Sequence, residues 1–441
     1  MVTVEALSRN PTASVPEACG GWAATNGTYR FWDNDRVTPD AILEGHFHRT
    51  RQRIHRADRV LVVQDTTELD FTHHPTTQGL GHLNQHTRGM KVHSSLVVTT
   101  DGVPQGLVHQ YVWARDEATK GKRQTRQSRE TKEKESQRWL TASQAIESAI
   151  PEDVEVVIVA DREADIFDLF ALPLRESVFL LVRGEQNRRV TAETRLLRET
   201  IQAQTPLGSH GVEVARNGSV PARLARLRIR ATTLEVCPPL NRPKKTLPVS
   251  GPVKLQVILA EEETAPAKGV PIRWLLLTTL PVETLADAVT CIEYYALRWL
   301  IERYHYVLKS GCRIEELQLE TAERLHCALA TYCIVAWRLL WLTYEARVHP
   351  KGSCETFLEE VEWKALWCIH HKQRNPPPDA PSLREATRWI AQLGGFLARR
   401  DDGAPGVKVV WRGWRRFQDM LIPWRLLHEG ETIHSEDVGN A

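Results

Sequence analysis

Two short apolar runs, each leading straight into an aspartate, constrain the fold of this chain more than any other feature. Val60-Leu61-Val62-Val63-Gln64 runs into Asp65-Thr66-Thr67, and Val154-Glu155-Val156-Val157-Ile158-Val159-Ala160 runs into Asp161-Arg162-Glu163-Ala164-Asp165-Ile166. Both are of the buried-strand type. Side chains that leave the carboxyl ends of neighbouring strands in an α/β sheet converge on one crevice, so the two aspartates are expected side by side.

A segment near residue 300 supplies a third acid. Tyr295, Arg298, Glu302 and Lys309 put two bases, a carboxylate and a phenol on one helical stripe. The segment opens at a capping-box-like Thr284-Leu285-Ala286-Asp287 and stops before Gly311, which predicts one long helix. Packed beside the crevice, that helix lowers Glu302 towards Asp65 and Asp161. Two carboxylates about 4 Å apart repel by roughly 4 kcal/mol at an effective dielectric near 20, so protons or metal ions must relieve the pocket. Oxygen-only ligands suit hard divalent ions such as Mg²⁺ or Mn²⁺. In-line attack on a phosphodiester is the chemistry that most needs two such ions, roughly 3.5–4 Å apart. Arg298, Lys309 and Tyr295 would then hold the phosphates.

Taken together, these blocks resemble the bacterial DDE insertion-sequence transposases that bear a Tyr-Arg-Glu-Lys signature. The likeness runs from about Gly20 to about Trp424 and takes in Gly27-Thr28-Tyr29-Arg30-Phe31, Gly269 to Thr278 and Leu393-Gly394-Gly395-Phe396. It implies an α/β fold with a ribonuclease H-like catalytic core, and Asp65, Asp161 and Glu302 as ligands of two Mg²⁺ ions, with Mn²⁺ as a substitute. It also implies cleavage at transposon inverted-repeat ends through a hairpin, followed by strand transfer into target DNA. The implied partners are double-stranded DNA and a second copy of the chain on paired ends. By the same resemblance Tyr295, Arg298 and Lys309 contact the phosphate beside a flipped base, while Trp274 and Trp299 stack on bases or brace the hairpin. Arg162 either binds phosphate or pairs with Glu163, and His305 either positions the DNA backbone or packs in the core.

With 441 residues and 42% hydrophobic content, the chain can bury a large core and is expected to form two or three domains. It shows no apolar run of about 18 residues and no basic start followed by an apolar stretch, so a cytoplasmic protein beside the nucleoid is expected, without a membrane partner. Its eight cysteines lack paired CxxC spacing, which argues against zinc and for reduced thiols. A net charge of +2 hides two basic clusters: eight Lys or Arg against three Glu from Lys120 to Arg138, and eight against Glu235 alone from Arg216 to Lys245. Both are candidate phosphate-binding surfaces. In the second, Leu224, Leu227 and Ile229 nearly alternate with Arg223, Arg226, Arg228 and Arg230, as in a strand with one buried and one basic face.

The chain divides by composition. Residues 1–58 form a helical DNA-end-binding piece behind a loose, shortened polar lead, with Thr38-Pro39 starting a basic helix. Residues 59–320 form the catalytic domain in the order βββαβαβ, interrupted by a β-rich insertion at 184–283, and 321–441 form a helical dimerisation domain. The short lead leaves open a shortened regulatory form that pairs with full-length subunits into inactive mixed dimers; the triad alone would also serve a nuclease that cuts without joining.

Overall fold

The computed structural model describes residues 2–116, 135–214, 221–240 and 251–428. Four helices open the chain: α1 (Val2–Arg9), α2 (Val15–Cys19), α3 (Trp22–Trp32) and α4 (Pro39–Ile54). Thr38 caps α4 by accepting the Ala41 N–H, and Pro39 sits in the first turn, where no amide donor is needed. The lead is therefore helical rather than loose. Leu7, Val15 and Trp32 are buried there, but helices this short carry too few apolar residues to show a period.

The middle of the chain contains β1 (Arg59–Asp70), β2 (Gly81–His82), β3 (Arg88–Thr99), β4 (Pro104–Trp113), α5 (Gln137–Ala149), β5 (Glu155–Ala160), α6 (Phe167–Phe170) and β6 (Val178–Arg183). It continues with α7 (Leu197–Gln202), β7 (Gly208–Val214), β8 (Arg223–Val236), β9 (Val253–Glu262) and β10 (Arg273–Thr278). All ten strands join one sheet in the order β2-β3-β1-β5-β6-β10-β9-β8-β7, with β4 also on β3. The β1, β5 and β6 strands run parallel at its centre, and β3 and β10 flank them antiparallel. The stretch 184–283 is β-rich, but it is not a sheet of its own: β7, β8 and β9 extend the central sheet through β10. Pairing of β10 with β6 hides the β6 edge that a separate subdomain would have left open.

The remaining helices are α8 (Leu285–Ala296), α9 (Trp299–Tyr306), α10 (Ala322–Val348), α11 (Glu360–His371), α12 (Leu383–Leu393) and α13 (Val407–His428). One apolar cluster, with Trp139, Ile146, Phe167 and Leu197, packs α5, α6 and α7 on one sheet face; another, with Cys291, Ile301 and Leu329, packs α8, α9 and α10 on the other. Alone among the described helices, α10 is long and apolar enough to cross a membrane, yet 72% of its most apolar window is buried inside the protein. It acts as a core helix on which both chain ends close. Trp32 donates its indole N–H to Thr331 at 3.1 Å, and on α13 Trp414 donates to the Ser8 carbonyl at 2.8 Å.

The single long helix expected from Thr284 to Gly311 is broken. The capping box forms as read, with Thr284 Oγ1 and the Asp287 carboxylate each taking the other's backbone N–H. At Leu297–Arg298 the chain tightens, and the N–H groups of Leu300 and Ile301 reach back only three residues. Beyond α9, Val307–Gly311 widens into a π-turn. These adjustments re-aim the stripe that carries Arg298, Glu302 and Lys309.

Candidate active site

Strand register brings the two aspartates together. In the parallel β1–β5 pair Val63 is the partner of Val159, so Asp65 and Asp161 each follow two residues later, Asp65 within β1 where its pairing with β5 ends and Asp161 just past the end of β5. Neighbouring strands lie about 4.8 Å apart, which sets the scale of their separation. Past β5 the chain turns sharply, and Asp161 caps that turn by accepting the Glu163 N–H at 2.9 Å. Asp65 accepts the Thr66 N–H at 2.8 Å.

The Asp65 carboxyl is pushed up to about 7, chiefly by burial and further by the charges of Asp161 and Glu302; the Thr66 N–H and Arg298 oppose the rise. The three acids thus share one electrostatic site. Because the unfolded chain binds fewer protons at Asp65 between pH 4 and 7, this group's contribution to stability is full at acid pH. It is lost as pH rises to about 7, at up to ~1.4 kcal/mol per pH unit. A bound cation takes the place of that proton, so affinity for the cation rises over the same window.

Glu302, in the first turn of α9, is held by Arg298, whose Nη2 donates to its Oε1 at 2.5 Å. Among the described residues no three His, Cys, Asp or Glu side chains converge closely enough to hold an ion as they stand. The donor set nevertheless fits a hard divalent ion: three carboxylates, one of them held partly protonated near neutrality chiefly by burial. Release of Glu302 from Arg298 would free a third carboxylate.

Around the acids lies a strip of cations and rings. The buried Tyr295 meets Trp274 of β10 edge to face at 5.3 Å, and the Arg298 guanidinium lies 5.4 Å from the ring of Trp299, which is 59% exposed. Arg298 Nε is buried without a hydrogen-bond partner. Lys309 Nζ donates to the Glu68 carbonyl at 2.9 Å and pairs with Glu315 at 3.0 Å. Arg162 is open to solvent and lies 3.6 Å from Glu185, not on Glu163. His305 is buried, with Nε2 3.4 Å from Ser94 Oγ, and burial pushes its pKa down to about 3, so it packs as a neutral ring.

Asp165 lies two residues before α6, which starts at Phe167. Its buried carboxylate takes the Glu185 and Gln186 N–H groups at 2.8 and 2.6 Å and the Arg188 guanidinium, anchoring the segment after β6. There Arg162, Arg183, Arg198 and Arg273 line one cleft with Glu185. Arg183 and Arg198 gave no sequence signal because they are scattered along the chain and gathered only by the sheet.

The basic strand is less basic than it reads. In β8 it is Ala225, Leu227 and Ile229 that are buried, and Leu224 lies on the solvent side with Arg226 and Arg228, as period-two parity requires. Glu261, Glu262 and Glu263 at the end of β9 pair with Arg230, Arg223, Arg226 and Arg228. Residues 120–134 of the first basic run and 216–220 and 241–245 of the second lie outside the described residues. All eight cysteines are free thiols.

Known protein families match three stretches of the chain. The model described as "Transposase DDE domain" matches residues 57–338, well over half of the chain. The chain belongs to the transposase DDE-domain family. The transposase chain also matches "Transposase DNA-binding" at residues 1–37 and "Transposase Tn5 dimerisation domain" at 334–423. The first of these falls on the helical lead, where sequence alone suggested a depleted end-binding piece. A solved structure, the cryo-EM piggyBac transposase synaptic complex with hairpin DNA, is similar at 9% identity and a TM-score of 0.37. The match covers 79% of this transposase and 65% of that chain.

Proposed function

We propose that this transposase cuts DNA at transposon inverted-repeat ends and joins the freed 3′ hydroxyl to target DNA, by a cut-and-paste route with a hairpin intermediate. The observation that carries this reading is the placement of Asp65 and Asp161 at matched positions on parallel β1 and β5, with Glu302 in the same field. Asp65, Asp161 and Glu302 would hold two Mg²⁺ ions, or Mn²⁺ in their place. Such ions lower the pKa of a bound water and offset charge on the leaving oxygen. Arg298 offers its unpaired Nε to a phosphate oxygen once Glu302 turns away, and Lys309 adds a point charge one π-turn further on. Trp274, which packs against Tyr295, and the exposed Trp299 would stack on displaced bases, and the exposed Arg162 would contact the backbone. His305 serves by packing α9 against β3.

The order β1, β3, β4, α5, β5, α6, β6 fits a ribonuclease H-like core, and the Tyr295, Arg298, Glu302, Lys309 spacing fits the signature type of the kanamycin-resistance composite transposon. The family matches at 1–37 and 334–423 support an end-binding piece and a homodimer on paired ends, acting beside the nucleoid. They also favour joining over simple nuclease action, and the match at residues 1–37 supports an end-binding piece over a regulatory form lacking that surface.

Incubated in Mg²⁺ with linear DNA carrying the inverted repeats that flank its gene, the protein is expected to nick at the repeat boundary, form hairpins and transfer strands. Cutting without strand transfer would leave a nuclease. Equal cutting by Asp161→Ala would reject the site.

A further inference from the structure

We propose that Arg138, on the first turn of α5, is a positioning residue that braces the two aspartate-bearing segments at the spacing a metal site requires. This rests on the triad reading above. One guanidinium spans both segments: Nε donates to Thr66 Oγ1 at 2.9 Å, beside Asp65, and Nη2 donates to Glu163 Oε2 at 2.5 Å, two residues past Asp161. The third nitrogen, Nη1, donates to the Glu135 carbonyl at 2.8 Å.

The side chain is only 9% exposed and its guanidinium lies 5.7 and 5.3 Å from the ring centres of Trp113 and Trp139, so it is held on its flanks as well as at its tips. With every nitrogen committed inside the protein, Arg138 acts through Thr66 and Glu163 and not on DNA. Burial pushes its pKa down, while Glu163, Glu135, Asp161 and Asp65 all push back, which places the cation within the field of both aspartates. It offsets their repulsion without occupying a ligand position.

A buried relay fixes the Thr66 end. The Thr66 hydroxyl can donate to His93 Nδ1 at 2.9 Å, His93 Nε2 to Gln64 Oε1 at 3.2 Å, Gln64 Nε2 to Ser143 Oγ at 3.4 Å, and Ser143 to the Trp139 carbonyl at 2.8 Å. Each donor then has one acceptor in a single consistent direction, with His93 neutral. The chain of bonds begins and ends on α5, so the helix that carries Arg138 also clamps β1 on the far side of Asp65. Satisfied buried networks of this kind are rigid, and groups just outside a metal's ligands set the orientation of those ligands.

The test uses the full chain and three readouts: Mn²⁺ dissociation constant by electron paramagnetic resonance, Mn²⁺ needed for half-maximal end cleavage, and end binding in chelator. Arg138→Gln is expected to weaken Mn²⁺ binding and raise the half-maximal concentration by about 10–100-fold, with end binding unchanged. Arg138→Lys should recover part of the loss, and adding Glu163→Gln to Arg138→Gln should cost nothing more. A lower melting temperature with unchanged Mn²⁺ affinity would overturn the brace in favour of plain packing. Lost end binding with unchanged Mn²⁺ affinity would overturn it in favour of a phosphate contact. If Arg138→Gln fails to fold, the near-isosteric Thr66→Val carries the test, with weaker Mn²⁺ binding expected and unchanged affinity overturning the proposal. Asp161→Ala is run beside them: unchanged Mn²⁺ binding there sinks the triad reading itself, whereas loss there with Arg138→Gln unaffected sinks only the brace.

Discussion

Replacing Glu302 by glutamine is expected to leave DNA-end binding intact and to lower end cleavage by about three orders of magnitude, roughly 4 kcal/mol of lost barrier reduction. The substitution is mild for the fold. Arg298 Nη2 now donates to Glu302 Oε1, and an amide oxygen at the same place can accept that bond. Glu302 lies at the α9 surface with a third of its side chain exposed, and the buried Arg298 keeps that hydrogen bond and the attraction of Asp65 when the Glu302 charge is removed. What glutamine cannot supply is the negative oxygen that a hard divalent ion requires. Gel-shift and cleavage assays on one protein preparation separate the two effects. Cleavage within about tenfold of the native rate would remove Glu302 from the site.

The second large effect concerns the crossing of α12 and α13. A β-carbon on Gly413 would stand 1.6 Å from the Ile390 carbonyl oxygen, and one on Gly394 would stand 1.9 Å from that of Val409. The two backbones touch, and no side-chain movement can make room. Gly413→Ala must therefore separate the helices and expose apolar surface around Trp411, Trp414 and Phe417, which are buried. A cost of about 3 kcal/mol or more is expected. Since the crossing lies within the residues matched by the dimerisation family, 334–423, sedimentation of the end complex should show loss of the paired species. Gly406→Ala, where an added β-carbon meets nothing within 4 Å, is the control and should change neither melting temperature nor assembly appreciably. An unaltered melting temperature in Gly413→Ala would contradict the close approach.

The acidic site was legible in the sequence because its signals are local. Each aspartate ends an apolar run, and once β1 and β5 pair in parallel the register sets Asp65 beside Asp161. The Thr284 capping box and the Thr38-Pro39 helix start were legible for the same reason, since capping is decided within one turn. What stayed hidden depends on contacts far apart in the chain. Nothing in the residues at the Leu297–Arg298 break, neither proline nor glycine, announces it. The continuity of β7, β8 and β9 with the central sheet depends on β10 reaching β6, a pairing of residues nearly a hundred positions apart. Arg138 looked like the last member of a basic run, and only burial between Trp113 and Trp139 reveals it as a brace. The β8 arginines misled in the opposite sense, because the glutamates that neutralise them arrive from β9.

We propose that Asp65, Asp161 and Glu302 together hold divalent metal. Mn²⁺ binding to the DNA-free protein, titrated at pH 6 and pH 8 in the native chain and in Asp161→Ala, tests it most directly. With Asp65 pushed up to about 7, the native chain should bind Mn²⁺ about tenfold more tightly at pH 8 than at pH 6, and Asp161→Ala should lose most of that binding at both. Binding that is the same in Asp161→Ala as in the native chain, or indifferent to pH across this range, would contradict the account.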